Sequence, residues 1–254
     1  MSPPSPTVIA ALAGAGFFAG LVDSIAGGGG LVTVPALLAA GLPPQIAIAT
    51  NKGQACFGAL SSFASFWKRG QIDRSRAGAG FAFGLVGSFA GAFVLLRVRP
   101  EPLRPVVLGL LVLAAVVVAW PRKVPAGAAP KTYRRPWLVL APVALGLGFY
   151  DGFFGPGVGS MLIVAFVLLF GDGLIRASGN AKVVNLASNL AALTLFAVKG
   201  AILWRVALPM AVANAAGAYA GSALAVKRGD RLVRAVVLAV VAALVVKLGA
   251  DLFR

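Results

Sequence analysis

Long apolar segments, separated by short polar connections, follow one another along the whole chain. About 20 apolar residues in a helix are needed to cross ~30 Å of hydrocarbon, and most of these segments approach that length. The pattern predicts helical elements near residues 7–24, 30–41, 46–67, 76–97, 103–120, 137–153, 158–170, 178–198, 203–226 and 232–252. The elements at 30–41 and 158–170 are too short to cross in the same way, so we expect broken or re-entrant helices there. The chain is thus predicted to be an all-α integral membrane protein with about eight to ten membrane helical elements.

The amino-acid composition agrees with a membrane protein and narrows the chemistry. Of the 254 residues, 59% are hydrophobic and 12% are charged, whereas about a quarter of a soluble domain is charged. The chain has no histidine and one cysteine, Cys56. An intrachain disulfide is therefore impossible, and metal sites or catalytic triads built on histidine are excluded. Since the sequence has no Gly-x-x-x-x-Gly-Lys-Ser/Thr loop for ATP either, we predict no enzyme, no metal and no cofactor.

Positive charge is concentrated in the connections between apolar segments. The formal net charge is +16, and many of the Lys and Arg residues cluster at 68–76, 122–135 and 227–234. Basic residues confined to loops are typical of the cytoplasmic side of membrane proteins, and no continuous basic face that would fit a nucleic acid is present. We therefore expect a multi-pass protein of the cell inner (plasma) membrane, with the connector 122–136 in the cytoplasm and both termini on the other side. The expected surroundings are the lipid bilayer, with no nucleic-acid partner.

The two halves of the chain share a pattern. An Asp followed by a glycine-rich run occurs in both, from Asp23 and again 128 positions later from Asp151. From Lys52 and Lys182 onward the displacement is 130, which one two-residue insertion explains. The predicted organisation is a first membrane repeat at 1–121, a basic connector at 122–136 and a second membrane repeat at 137–254. With three or five crossings in each repeat, the second repeat inserts upside down relative to the first, which predicts two inverted structural repeats.

Glycine-rich runs interrupt the apolar pattern in both halves. The residues concerned are Gly27, Gly28, Gly29 and Gly30, and then Gly155, Gly157 and Gly159. In hydrocarbon a broken backbone is tolerated only where protein or a watery cavity satisfies its polar groups. The helix after each break presents unpaired N–H groups, which suit an anion. Glycines can also let helices pack closely, and we favour that interpretation for Gly87, Gly91, Gly217 and Gly221.

Ionisable side chains recur in the same apolar halves. Lys52 and Lys182 lie near the start of the third element of each half, beside neutral donors at Thr50, Asn51, Gln54, Asn180, Asn185 and Asn189. Because an ammonium in hydrocarbon is costly and is usually functional or paired, we predict that this set binds the substrate. Snorkelling of both lysines to the headgroups is the alternative. Asp23 and Asp151 are assigned either proton coupling or a backbone cap, and both alternatives stay open.

Four stretches carry a resemblance to a known family. They are Gly20-x-x-Asp23-x-x-x-Gly27-Gly28-Gly29-Gly30, then Ala49-Thr50-Asn51-Lys52-x-Gln54, and Gly148-x-x-Asp151-x-x-x-Gly155-Pro156-Gly157-x-Gly159, together with the run from Ala181 to Asn189. With these motifs the chain resembles the TauE/SafE family of sulfite and organosulfur anion exporters. The resemblance implies a secondary transporter that moves a small anion, sulfite or a sulfonate, by alternating access. A passive anion channel of the same architecture is the alternative, and association into a homo-oligomer is left open.

Overall fold

A computed structural model describes residues 4–119 and 131–229, and this part of the chain is helical without any strand. The helices are α1 (Pro6–Ala26), α2 (Gly30–Ala39), α3 (Pro44–Lys68), α4 (Arg74–Leu95), α5 (Pro100–Ala119), α6 (Pro136–Phe153), α7 (Val158–Phe170), α8 (Leu174–Val198) and α9 (Trp204–Arg228). They match nine of the predicted elements, whose existence is confirmed. The predicted tenth element, 232–252, and most of the connector 122–136 lie outside the described residues.

Helix lengths agree with a membrane protein. Four helices within the described ranges are long and apolar enough to cross a bilayer, namely α1, α4, α6 and α8. The second helix of each half is short, with 10 residues in α2 and 13 in α7. At ~1.5 Å per residue neither covers ~30 Å of hydrocarbon, as their sequences predicted. Helices α3 and α8 have 25 residues each and begin 130 positions apart, which repeats the displacement in the sequence. The opposite orientation of the two repeats stays a prediction.

The helices form two bundles that each combine elements from both halves. In the first bundle α9 packs on α1 and α3, with α2 against α1 and α3. In the second bundle α4 packs on α6 and α8, with α7 against α8 and α6. The two bundles meet mainly along α3 and α8. The fourth helix of each half is thus exchanged, because α9 joins first-half helices and α4 joins second-half helices.

Glycines make the packing within each bundle close. A Cβ added to Gly91 of α4 would lie 2.0 Å from the Phe149 carbonyl oxygen of α6. A Cβ added to Gly217 of α9 would lie 2.0 Å from the Phe17 carbonyl oxygen of α1. Backbones approach this closely only where one side chain is absent, as in small-residue helix contacts of membrane proteins. The packing interpretation of these glycines is confirmed.

Equivalent helix contacts in the two bundles consist of charged residues in one bundle and of apolar residues in the other. Between α4 and α8, Arg76 lies 2.8 Å from Asp172 and 2.9 Å from Asp73, while Arg176 lies 3.2 Å from Asp73. We call these four residues the charged cluster. The positions displaced by 130 are Leu203, Val206, Leu42 and Ile46, and they belong to one apolar cluster between α9 and α3.

Within the charged cluster, the surroundings of Asp73 favour its ionised form. Burial raises the pKa of Asp73, but hydrogen bonds from Ser75 and the Arg76 guanidinium outweigh it. The pKa of this carboxyl therefore lies below its ordinary value of 3.8. Since Asp73 lies at the N-terminus of α4, its hydrogen bond from the Ser75 N–H also caps that helix.

Candidate functional site

Both predicted glycine breaks exist. Helix α1 ends before Gly27 and Gly28, whose φ angles are 74° and 94°. Helix α6 ends shortly before Gly155 and Gly157, whose φ angles are 98° and 85°. Residues with a side chain rarely adopt such angles, which explains why glycine occupies these positions. Each break delivers the chain into a short helix whose first N–H groups have no partner in the helix itself.

The two breaks touch each other between the bundles. A Cβ on Gly27 would lie 2.2 Å from the Ser160 nitrogen, and one on Gly159 would lie 2.8 Å from the Gly27 Cα. The Ser160 hydroxyl donates a hydrogen bond to the Ala26 carbonyl oxygen at 2.8 Å. The broken backbone of one half is therefore satisfied in part by the other half, as burial requires.

Lys52 of α3 is buried in an ion pair with the second half. Its Nζ lies 2.5 Å from Oδ1 of Asp151, and the two side chains are 2% and 3% exposed. The other carboxylate oxygen of Asp151 accepts hydrogen bonds from the hydroxyl of Ser188 and, at 3.4 Å, from Nδ2 of Asn185. Asp151 is thus held by one ammonium and two neutral side-chain donors, all from α3 and α8.

Lys182 of α8 makes the corresponding pair with the first half. Its Nζ lies 2.5 Å from Oδ2 of Asp23 and 2.7 Å from the Asp23 carbonyl oxygen. The lysine side chain is 1% exposed, whereas that of Asp23 is 26% exposed. The other carboxylate oxygen accepts the N–H of Gly29 at 3.0 Å, so this carboxylate caps the broken backbone.

These pairs correct the expectations for the lysines. Snorkelling is wrong, because Lys52 and Lys182 are both 1% exposed and lie between the bundles. Neither ammonium is free, since each is bound to the Asp of the other half. The sequence drew attention to all four ionisable residues, but their partners follow only from the fold.

One small polar cavity joins the two breaks and both ion pairs. Its volume is about 30 Å³, which is room for about one water molecule. It is lined by Asp23, Gly28, Gly29, Gly30, Asn51, Lys52, Gln54, Ala55, Asp151, Gly155, Gly157, Val158, Gly159, Asn185, Asn189 and Asn214. Two buried amide oxygens in this lining, Oε1 of Gln54 and Oδ1 of Asn189, have no hydrogen-bond partner among the described residues. A polar occupant is expected there, because unpaired buried oxygens are unfavourable.

Four of the predicted site residues lie outside this lining. Lys182 reaches the cavity only through Asp23, and Gly27 packs against α7. The Thr50 hydroxyl accepts the N–H of Leu203 at 3.1 Å, and the Asn180 amide oxygen accepts the N–H of Asp73 at 2.8 Å. These last two side chains, at matching positions, fasten the loops before α9 and α4.

Three lining residues were missed, namely Ala55, Val158 and Asn214. Asn214 lies on α9 and donates a hydrogen bond to the Gly16 carbonyl oxygen at 3.1 Å. Its counterpart in the first half is Gly84, so a search for recurring polar positions could not find it. An asparagine within an apolar helix is the one signal that could have indicated it.

Apolar helices around a buried, charged cavity at two helix breaks define a multi-pass membrane protein of the transporter class. The sequence model of the family described as sulfite exporter TauE/SafE matches residues 12–248, and the chain belongs to this family. It is 38% identical over 245 residues to the probable membrane transporter protein YfcA of Escherichia coli K12, which covers 96% of this chain and 90% of that protein. It is 35% identical over 238 residues to the probable membrane transporter protein ORF9 of a Sinorhizobium species, covering 93% and 90%. No solved structure matches the chain significantly.

Proposed function

We propose that this protein is a secondary carrier that moves a small anion, sulfite or a sulfonate, out of the cell by alternating access. The observation that carries the proposal is the single cavity lined by two helix N-termini, by Lys52 and by both acids of the ion pairs. The sulfite cargo and the outward direction come from the description of the family. On the same proposal the protein lies in the inner membrane with the connector 122–136 in the cytoplasm, where basic loops accumulate.

The cavity offers an oxyanion two kinds of ligand. The first turns of α2 and α7 provide backbone N–H groups and the positive end of each helix dipole. The side-chain amides of Asn51, Gln54 and Asn185 add neutral donors, and the ammonium of Lys52, which lines the cavity, adds charge. A sulfite or sulfonate group has three oxygens that can accept such bonds, so its shape suits converging donors.

The size of the cavity favours a carrier over a channel. Its volume of about 30 Å³ is less than a sulfonate group needs, whereas conduction requires a continuous pore. The bundles therefore have to separate along α3 and α8 before the anion can enter. Such a rearrangement around a fixed site is how carriers of this kind work.

The experiment that tests the proposal is anion flux into liposomes that contain the purified protein. We expect sulfite or a short alkyl sulfonate to be transported by the wild type, and K52A/K182A to abolish transport. Lys199 is exposed, so K199A is the control that keeps transport. Since losing a lysine leaves a buried carboxylate unpaired, the charge-balanced variant D23N/K52M/D151N/K182M accompanies the double variant. Wild-type rates in K52A/K182A would refute the site, and single-channel steps would favour the channel alternative.

A further inference from the structure

The charges around the cavity cancel. Lys52 and Lys182 carry two positive charges, and Asp151 and Asp23 carry two negative ones. Among the described residues that line the cavity, the others are neutral. An arriving anion would therefore give the closed site a net negative charge, and an uncompensated charge in such surroundings is strongly unfavourable. The neutral site needs one positive charge for each anion that it accepts.

The two acids differ in how easily one of them could supply that charge by taking up a proton. The Asp151 side chain is 3% exposed and is bound by Lys52, Ser188 and Asn185. The Asp23 side chain is 26% exposed, and within residues 4–119 and 131–229 Lys182 is its one side-chain donor. A proton reaches Asp23 more easily because its side chain is more exposed, and fewer side-chain donors hold its carboxylate, to which the backbone N–H of Gly29 also donates.

The neighbours of Asp23 show which charged group would lose its partner if Asp23 were protonated. Lys182 of α8 is the charged group in contact with it, and Lys52 of α3 and Asp151 of α6 are the charged groups across the cavity. The remaining neighbours present neutral groups, namely Gly29 just before α2, Gly159 of α7 and Asn214 of α9. Protonated Asp23 leaves the Lys182 ammonium without a counter-charge, while the Lys52–Asp151 pair remains intact.

We propose that each anion is carried together with one proton, which binds to the Asp23 carboxylate. Lys182 then exchanges its bond to Asp23 for a bond to the anion, and the loaded site remains neutral. This inference rests on the proposed function, because it concerns the same cavity. It makes the protein a proton-coupled anion carrier in which Asp23 binds the proton and Lys182 binds the anion. Since the proton and the anion move in the same direction, export against an inward proton gradient has to be driven by the anion's own outward gradient.

The test uses protein-containing liposomes whose membrane potential is held at zero. The probe is a short alkyl sulfonate. Because sulfonic acids are strong acids, this anion carries no proton near neutral pH, and only the protein can couple its movement to that of a proton. With one pH unit across the membrane, one coupled proton gives an accumulation of about tenfold toward the alkaline side. In D23N we expect an accumulation ratio of about one, whereas D23E, which restores a carboxyl, and K199A, which changes an exposed residue outside the site, retain the response. Fluxes are normalised to the folded protein recovered, and the comparison of D23N with D23E decides.

The possible failures are distinguishable. A wild-type protein that transports the sulfonate downhill but equilibrates it in a pH gradient would overturn proton coupling and leave the proposed function intact. Accumulation that persists in D23N would overturn the assignment to Asp23. A wild-type protein that transports no anion, with or without a gradient, would overturn the proposed function itself.

Discussion

Substitutions in the Lys52–Asp151 pair can distinguish its contribution to protein stability from its contribution to anion transport. Both side chains are nearly inaccessible, at 2% and 3% exposure. Removing one partner of such a pair typically costs about 3–5 kcal/mol, because the other charge stays buried. D151N leaves the ammonium facing neutral groups, whereas K52M leaves the carboxylate with its donors Ser188 and Asn185. We therefore expect both single variants to be destabilised, and D151N more than K52M.

The double variant K52M/D151N removes both charges and keeps a side-chain acceptor for Ser188. Replacing a whole buried pair by neutral groups is often close to neutral for stability. We expect K52M/D151N to unfold within about 1 kcal/mol of the wild type, although its anion flux stays low because one ammonium is missing. The measurement is denaturant unfolding of the four proteins in one detergent, with flux measured on the same preparations.

The double-mutant cycle also defines the result that would refute this reasoning. If the losses of K52M and D151N simply add in the double variant, the two residues are not coupled and the pair does not exist in the protein. If K52M/D151N is as stable as the wild type and also transports at its rate, the pair is not part of the site. Either result would require a different explanation for two buried charges.

Three further predictions follow from the structure. G91A should destabilise the protein by about 1–3 kcal/mol, because the new Cβ would meet the Phe149 carbonyl oxygen. G146A is the control and should be neutral or stabilising, since a Cβ there would have no atom within 4 Å. Thermal unfolding of both variants in detergent is the measurement. G155A should cost about 1–3 kcal/mol through backbone strain alone, and it should also lower flux, since its Cβ would lie 2.9 Å from the Lys52 ammonium. The lowered pKa of Asp73 stabilises the protein above its ordinary value of 3.8, and this stabilisation is lost as the pH falls through the lowered pKa. D73N should therefore be less stable than the wild type at neutral pH, and the difference between their free energies of unfolding should shrink as the pH falls below 3.8.

The sequence predicted the helices and the breaks because both are governed by local rules. Apolar length decides whether a segment crosses the bilayer, and the runs that begin at Gly27 and Gly155 interrupt a helix wherever they occur. Recurrence in both halves then selected Lys52 and Lys182 among all the basic residues. Those predictions needed no knowledge of how the helices pack.

The sequence could not show in which direction each polar side chain points from its helix. Spacing along the helix does not decide which side chains face the cavity. Lys52 and Gln54 of α3 are two positions apart and both line it, whereas Thr50, two positions before Lys52, binds the N–H of Leu203 instead. Asn180, at the matching position of α8, likewise binds the N–H of Asp73. Choosing the correct face requires knowing that α9 covers one side of α3 and α8 the other, and the pattern of apolar residues does not show this because α3 has buried residues on all sides.

The exchange of helices between the halves gives the ion pairs their position. Lys52 belongs to the first bundle and Asp151 to the second, while Lys182 belongs to the second and Asp23 to the first. Both pairs therefore cross the α3–α8 interface along which an alternating-access carrier would have to move. On the proposed function, an empty site that opened would break two buried pairs at once, at several kcal/mol for each ion left uncompensated. A proton on Asp23 and an anion on Lys182 would replace one of these pairs, so the loaded protein would have to break only the Lys52–Asp151 pair in order to open.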